Sequence, residues 1–467
     1  MMGEIKLWNT PVYRFRVPKD KEIEESLELK EIVIDVTGSA PGFKEPSGNL
    51  KNILKEIFNS DSFEKVDTVL EFGAAKLKNI PFILEEGKGV CAVEFKELTK
   101  KDFTKKNLEK CKRYGPKFQK LVFPNPFITD DRKFDLALLL NVPPIMPVFA
   151  ERMFVLQLLY EKVKKGKYLL WVAQKEGSYK EIRESGKNVC GDGIWMGKGR
   201  YFKTFYKYHK VDEVDEMMAL CGFELVKRFS GGDDARLYKK IDYNIFSGLI
   251  TPEKIRRFIP LDKTIEDPKN TKPKTVKRNS KINPVLPNPK ELSMESLYIE
   301  KIKSIDVGPD DAELYHRLMS YAISRIFRGS LRNMQIKETV GDRIKIIDTV
   351  FTNCAEKGFF KNIQNKKSDC LHPMIEVKNT KKDPANPEID QLNGRLSKVR
   401  GNFGILICRE VKDEKAVNKR CQTHLPGRLI LFLSDADVIE LLEYYRDGGY
   451  EDIDDFMDRK LKDLLFR

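Results

Sequence analysis

One stretch divides this chain before any other feature is read. Residues 268–290, PKNTKPKTVKRNSKINPVLPNPK, hold six lysines, one arginine and five prolines, and no acidic residue. Proline donates no backbone hydrogen bond and cannot continue a helix, and little here is apolar enough to bury. The stretch reads as an extended linker, whose positive charge also suits contact with phosphates. Length alone suggests about three domains. The linker argues for two folded regions, residues 1–260 and 305–467, joined by a basic Pro-rich connection over 261–304.

Composition narrows the class. The chain carries 85 Lys and Arg against 71 Asp and Glu, a formal charge of +14, which favours a polyanionic partner. Hydrophobic residues make up 41%, too many for a disordered chain. No run approaches the roughly 18–20 apolar residues of a membrane span. Lys6, Arg14 and Arg16 interrupt the N-terminus, so it lacks the apolar centre of a signal peptide. Eight cysteines in 467 residues are too sparse for a disulfide scaffold. A reduced, cytoplasmic protein is expected.

The first region alternates helix-like and strand-like segments. Leu50, Ile53, Leu54, Ile57 and Phe58 recur at helical spacing, and short apolar runs follow at 66–72 and 89–95. FDLALLLNV (134–142) is nearly continuously apolar, as in a strand covered on both faces. A helix is expected over 153–164, a break at Gly166, then a strand YLLWVA. A helix ending at Gly222 and two strands, FELVKRF and ARLYKK, complete the order. The alternation predicts a doubly wound, Rossmann-like α/β sheet.

Chemistry concentrates first at 69–80, VLEFGAAKLKNI. Glu71 and Gly73 close the first strand of the pattern, where glycine lets the backbone turn tightly toward a ligand. Glu94 closes the next, placed to accept hydrogen bonds from both hydroxyls of a ribose. A full Gly-x-Gly-x-x-Gly is absent, which argues against a nicotinamide dinucleotide. Glu71-Phe-Gly73-Ala-Ala75 resembles the first motif of the class I S-adenosylmethionine (SAM)-dependent methyltransferases, and Glu94 resembles their ribose-binding acid. Residues 134–147 resemble the fourth-strand segment beside the transferred methyl. The likeness covers about 50–240. It implies SAM as a cofactor, bound by Glu71, Gly73, Ala75, Glu94 and Asn141. Ala75 departs from the pattern, standing where a further glycine is common. Asn141-Val-Pro143-Pro144 is superficially similar to the Asn-Pro-Pro-aromatic motif of DNA amino-methyltransferases, but Val142 and Ile145 break it. The Gly- and aromatic-rich segment 191–206 is either a cover for a substrate pocket or a structured surface loop.

The second region carries a sharper set. Residues 313–327 have apolar side chains at helical spacing, 343–351 (RIKIIDTVF) reads as a strand containing Asp348, and 373–379 (PMIEVKN) as another. Residues two apart on a strand share a face, so Glu376 and Lys378 point together. With Asp348 on an adjacent strand, two carboxylates and an ammonium converge, a set suited to holding Mg2+ and hydrolysing a phosphodiester. These residues resemble the PD-(D/E)xK superfamily of restriction-endonuclease-like nucleases over about 305–450, of a type tied to prokaryotic DNA restriction and antiviral defence. The resemblance implies Asp348 and Glu376 as metal ligands and Lys378 as the residue assisting the attacking water. It implies supporting roles for Glu313 and for Gln391 on the following helix (386–396), and a core strand at 403–410. It also implies DNA and other defence-system proteins as partners, and pairing of two chains for double-strand cleavage. Arg395, Lys398 and Arg400 are candidates for phosphate contact. Cys421 and His424 have Cys-x-x-His spacing without a second pair. His209, His316 and His372 read as ordinary polar or core histidines.

The expectation is therefore a Mg2+-dependent DNA endonuclease with a SAM-binding domain that regulates or modifies. Two alternatives stand beside it. One is a methyltransferase acting on RNA or a small molecule, with an accessory nucleic-acid-binding domain. The other is a non-catalytic DNA-binding subunit of a defence complex.

Overall fold

The computed structural model describes residues 12–18, 29–36, 45–95, 102–177, 179–185, 188–190, 192–197, 203–251, 293–340, 345–365, 370–425 and 427–466. The chain divides into two compact units, Met1–Pro289 and Lys290–Arg467. The basic stretch 268–290 lies outside the described residues. The expected linker runs too far toward the C-terminus, because Met294–Ser304 is a helix of the second unit. Ser293 caps it by accepting from the Ser296 N–H, and Met294, Leu297, Tyr298 and Ile302 are buried. The apolar spacing of MESLYIEKIKS outweighs its polar neighbours.

In the first unit, strands β1 (Val12–Pro18) and β2 (Leu29–Asp35) pair antiparallel. The main strands begin with β3 (Thr68–Phe72), β4 (Gly89–Phe95), β5 (Phe118–Phe123), β6 (Phe134–Leu140) and β7 (Val163–Ala173). Short strands β8 (Val189–Cys190), β9 (Gly193–Met196) and β10 (Thr204–Tyr206) form a small separate sheet. β11 (Phe223–Phe229) and β12 (Asp234–Lys240) return to the main one. Its order is β11-β12-β7-β6-β3-β4-β5, with β5, β4, β3, β6 and β7 parallel and β12 antiparallel to both neighbours.

The alternating pattern therefore does build the doubly wound α/β sheet expected of it. One face buries Val69, Val90, Ala92, Leu136, Leu138 and Leu170 under Leu50, Ile53, Leu54 and Ile57 of the helix Gly48–Asn59. The residues between them, Leu70, Ala137, Leu139, Leu169 and Trp171, alternate to the other face and are equally buried. The helix Phe149–Lys162 begins earlier than expected and is apolar almost all round, so periodicity does not mark its start. Gly166 does not end an element. It lies inside β7 at φ 72°, near a register shift between Phe134 and Leu136 on β6.

The chain runs β3, β4, β5 outward and then crosses back to place β6 on the other side of β3. That reversal opens a crevice beyond the C-terminal ends of β3 and β6, where open α/β sheets hold their ligands. Glu71, Gly73, Glu94 and Asn141 all stand at that edge.

The second unit has a five-stranded sheet of β13 (Leu331–Val340), β14 (Lys345–Asn353), β15 (Met374–Lys378), β16 (Phe403–Cys408) and β17 (Leu429–Ser434), in that order. The first three are antiparallel and the last three parallel. A parallel neighbour requires a crossover, which the helix Asn386–Arg395 supplies between β15 and β16. The helix Ala312–Ile326 precedes the sheet, as its periodicity predicts. β16 and β17 are buried along their whole length.

Candidate functional site

The turn leaving β3 uses left-handed backbone three times, at Gly73 (φ 74°), Ala75 (φ 45°) and Leu77 (φ 56°). At Gly73 a Cβ would stand 2.4 Å from Val142 Cγ2, so the turn needs glycine both for its φ and for space. Glu94 ties this turn to β4: its Oε2 accepts from the Ala75 N–H at 2.5 Å and its Oε1 from the Phe95 N–H at 2.8 Å. Glu71 is buried, and its Oε1 accepts from Asn79 Nδ2 at 2.5 Å. Glu71 Oε2 and Asn79 Oδ1 have no hydrogen-bond partner. Burial pushes the Glu71 carboxyl up to about 7; the Glu94 charge adds to the rise, while the Asn79 hydrogen bond and the Lys78 charge oppose it.

Asn141 takes a different part from its neighbours. At φ 58° it donates its N–H to Val172 O at 2.7 Å, and its Oδ1 accepts from the Gln174 N–H at 2.8 Å. It therefore ties the end of β6 to the end of β7. Glu71, Gly73, Ala75, Glu94 and Asn141 together line one cavity of about 580 Å³. Met196, Thr204, Phe205 and Tyr206 line it too, so the described ends of segment 191–206 are pocket wall rather than free loop.

Among the polar members of this cavity that sequence reasoning missed are Asn79, Tyr13 and Glu151. The Tyr13 hydroxyl donates to the Glu151 carboxylate, 2.6 and 2.7 Å from its two oxygens. Burial pushes the Glu151 carboxyl up to about 8. One signal was present in the sequence: an acid inside FAERMFVLQLLYEK, a helix otherwise buried nearly throughout.

The second unit gathers Asp348, Glu376, Lys378 and Gln391. β14 and β15 pair antiparallel with Thr349 opposite Ile375, and the same register carried one residue further sets Asp348 across from Glu376. Asp348 Oδ2 accepts from the Val377 N–H at 3.2 Å. Glu376 is 1% exposed, and neither carboxylate oxygen receives a well-aligned hydrogen bond. Both instead lie in ion pairs, Oε1 with Lys378 Nζ at 2.7 Å and Oε2 with Arg395. Lys378 Nζ also donates to Gln391 Oε1 at 2.9 Å. Glu313 is held elsewhere, by Arg317 at 2.8 Å and by Lys337. Those cations keep its carboxyl below the usual range against the opposing effect of burial.

Arg395 differs from its expected place on a phosphate-binding surface, because its side chain is buried against Glu376. Lys398 is exposed, and Arg400 donates to the Arg395 carbonyl. Cys421 is buried in the helix Glu414–Gln422, while His424 Nε2 lies 3.5 Å from Asp390. Among the described residues no group of three or more His, Cys, Asp or Glu is arranged to hold a metal ion. His316 is buried with Nε2 3.0 Å from Thr349 Oγ1, and burial lowers its pKa. Burial likewise lowers that of His209, against the pull of Glu213. His372 Nδ1 lies 3.3 Å from Phe351 O.

No family model matches the chain, and no curated protein resembles it in sequence. Solved structures do resemble it over part of its length. A SAM-dependent methyltransferase of Methanosarcina mazei is 15% identical, covers 42% of this chain and 99% of that one, at a TM-score of 0.32. The 1,6-didemethyltoxoflavin-N1-methyltransferase of Burkholderia thailandensis, with bound 1,6-didemethyltoxoflavin and S-adenosylhomocysteine, is 15% identical over 41% and 76% of the two chains, at 0.30. The magnesium protoporphyrin IX methyltransferase of Synechocystis, with bound S-adenosylhomocysteine, is 13% identical over 41% and 82%, at 0.31. No helix among the described residues is long and apolar enough to cross a membrane.

Proposed function

We propose that the chain is a SAM-dependent methyltransferase acting on RNA or a small molecule, with its second unit binding nucleic acid. The observation that carries this reading is Glu94 at the end of β4, bracing the Gly73–Ala75 turn across a cavity of ligand size. A carboxylate at this strand end, lining the cavity, suits a ribose diol. Glu71 Oε2 and Asn79 Oδ1, two buried acceptors without donors, suit the ammonium end of an amino-acid group. Glu71, Glu94 and Glu151 line the cavity together with Lys78. SAM, when bound, supplies the electrophilic methyl group. The chain's residues bind and orient it, and the aromatic wall at Phe205 and Tyr206 limits what acceptor enters. The test is transfer of labelled methyl from SAM to RNA or to a small-molecule extract. The full chain should label one of them, Asp348→Ala should label equally well, and Glu94→Gln should lose transfer. No labelling by the unaltered chain overturns the reading.

A second reading is favoured by one cluster: Mg2+-dependent endonucleolytic hydrolysis of DNA at the second unit, in the setting of restriction or phage defence. The donor set suits a hard divalent cation in that two carboxylates, Glu376 and Asp348, stand on neighbouring strands. A bound Mg2+ supplies a polarised phosphoryl oxygen and a more acidic water. Lys378, held by Gln391 and Glu376, would orient that water. Lys378→Ala should then abolish plasmid cleavage while leaving DNA affinity within about twofold; unchanged cleavage contradicts the assignment. A chain inactive alone that captures a stable protein partner fits the recruiting-subunit alternative instead.

A further inference from the structure

We infer that Arg395 is the resident counter-cation of the Asp348–Glu376 carboxylates, so that a divalent cation binds there only by displacing it. The inference rests on the metal reading of that site and adds a competitor built into the chain.

The geometry begins with the helix Asn386–Arg395. Residues four apart on a helix share a face, so Gln391 and Arg395 are presented to the sheet together. Gln391 holds Lys378, and Lys378 holds Glu376 Oε1. Arg395 holds the other oxygen, Oε2. Every oxygen of this buried carboxylate therefore faces a protein cation. Arg395 also senses Asp348, whose charge favours the guanidinium against the cost of its burial. A guanidinium stays charged at any physiological pH, so this cation does not leave by losing a proton.

The backbone keeps Arg395 where it is. Its carbonyl accepts from Arg400 Nε at 3.2 Å and Nη2 at 2.9 Å. The intervening turn is closed by reciprocal hydrogen bonds between Ser397 and Gly401, at 3.0 and 2.7 Å. A guanidinium carried on this anchored backbone does more than balance charge. It faces the Glu376 oxygen that a cation would need, so cation binding and the Arg395–Glu376 pair oppose one another, and each weakens the other by the same factor. A purely structural ion pair with no cation site behind it makes the opposite forecast, because removing Arg395 then creates no binding.

The test uses the full chain and Mn2+ alone, with free Mn2+ followed by its electron paramagnetic resonance signal. Arg395→Met should bind Mn2+ about tenfold more tightly than the unaltered chain or better, since the competing buried pair is gone. Arg395→Lys should fall between them, and it carries the test if circular dichroism shows Arg395→Met unfolded. Adding Glu376→Gln should remove the tight binding in either background. Equal or weaker Mn2+ binding by the Arg395 variants overturns the inference while leaving the metal site standing. Failure of every form, the unaltered chain included, to bind Mn2+ at millimolar concentration overturns the metal reading as well.

Discussion

Glu71 is an acid placed where it is easier to keep a proton than to lose one. Its carboxyl rises from 4.5 to about 7, mainly through burial. Between those values the folded chain holds a proton that the unfolded chain has released. Stability therefore falls as pH rises across that window and levels off above about 7. Glu71→Gln removes the penalty, so urea unfolding should show the variant more stable at pH 8 by up to about 3 kcal/mol, and equal to the unaltered chain at pH 4. Gly73→Ala acts in the opposite sense. Its methyl meets Val142 and its backbone is left-handed, so unfolding should show a loss of about 1–3 kcal/mol. Glu71, Gly73 and Glu94 were legible because acids and a glycine at strand ends stand out in a short window. Tyr13 and Glu151 were not: they meet across 138 residues, and no local pattern reports such a contact.

Helices were legible where burial is one-sided and hidden where it is not, whereas strands were legible where both faces are covered. The helix Gly48–Asn59 buries a single apolar stripe and shows it in the sequence, whereas Phe149–Lys162 is buried nearly all round and does not. β5 was missed because FQKLVF, an edge strand, is largely half-exposed and its single buried residue is Phe123. β4, β6, β15 and β16 were found, being short apolar runs covered on both faces. Arg395 shows the limit of reading charge without packing: three basic residues within six positions look alike, yet one is turned inward by helix phase. The helix bearing it is seated by Leu392, which is fully buried against Gly404. Leu392→Ala should therefore cost the second unit about 2–5 kcal/mol in thermal or urea unfolding, with no effect on SAM affinity.

Across the whole chain, the division into two units follows from proline and lysine content, but the order of strands within a sheet does not follow from alternation alone. The crossover from β5 to β6 sets the crevice that gathers Glu71, Gly73, Glu94 and Asn141, and only the assembled sheet displays it. The Asp348–Glu376 cluster depends in the same way on β15 and β16 running parallel, since the crossover helix brings Gln391 and Arg395 to Glu376. Each unit thus gathers its own cluster of polar side chains, and the account turns on the first. The most direct measurement is a calorimetric titration of the full chain with SAM beside the Glu94→Gln variant. The account predicts one saturable site in the unaltered chain, weakened about tenfold or more in the variant by loss of the ribose acceptor. No saturable heat in the unaltered chain, or equal affinity in both, would contradict it.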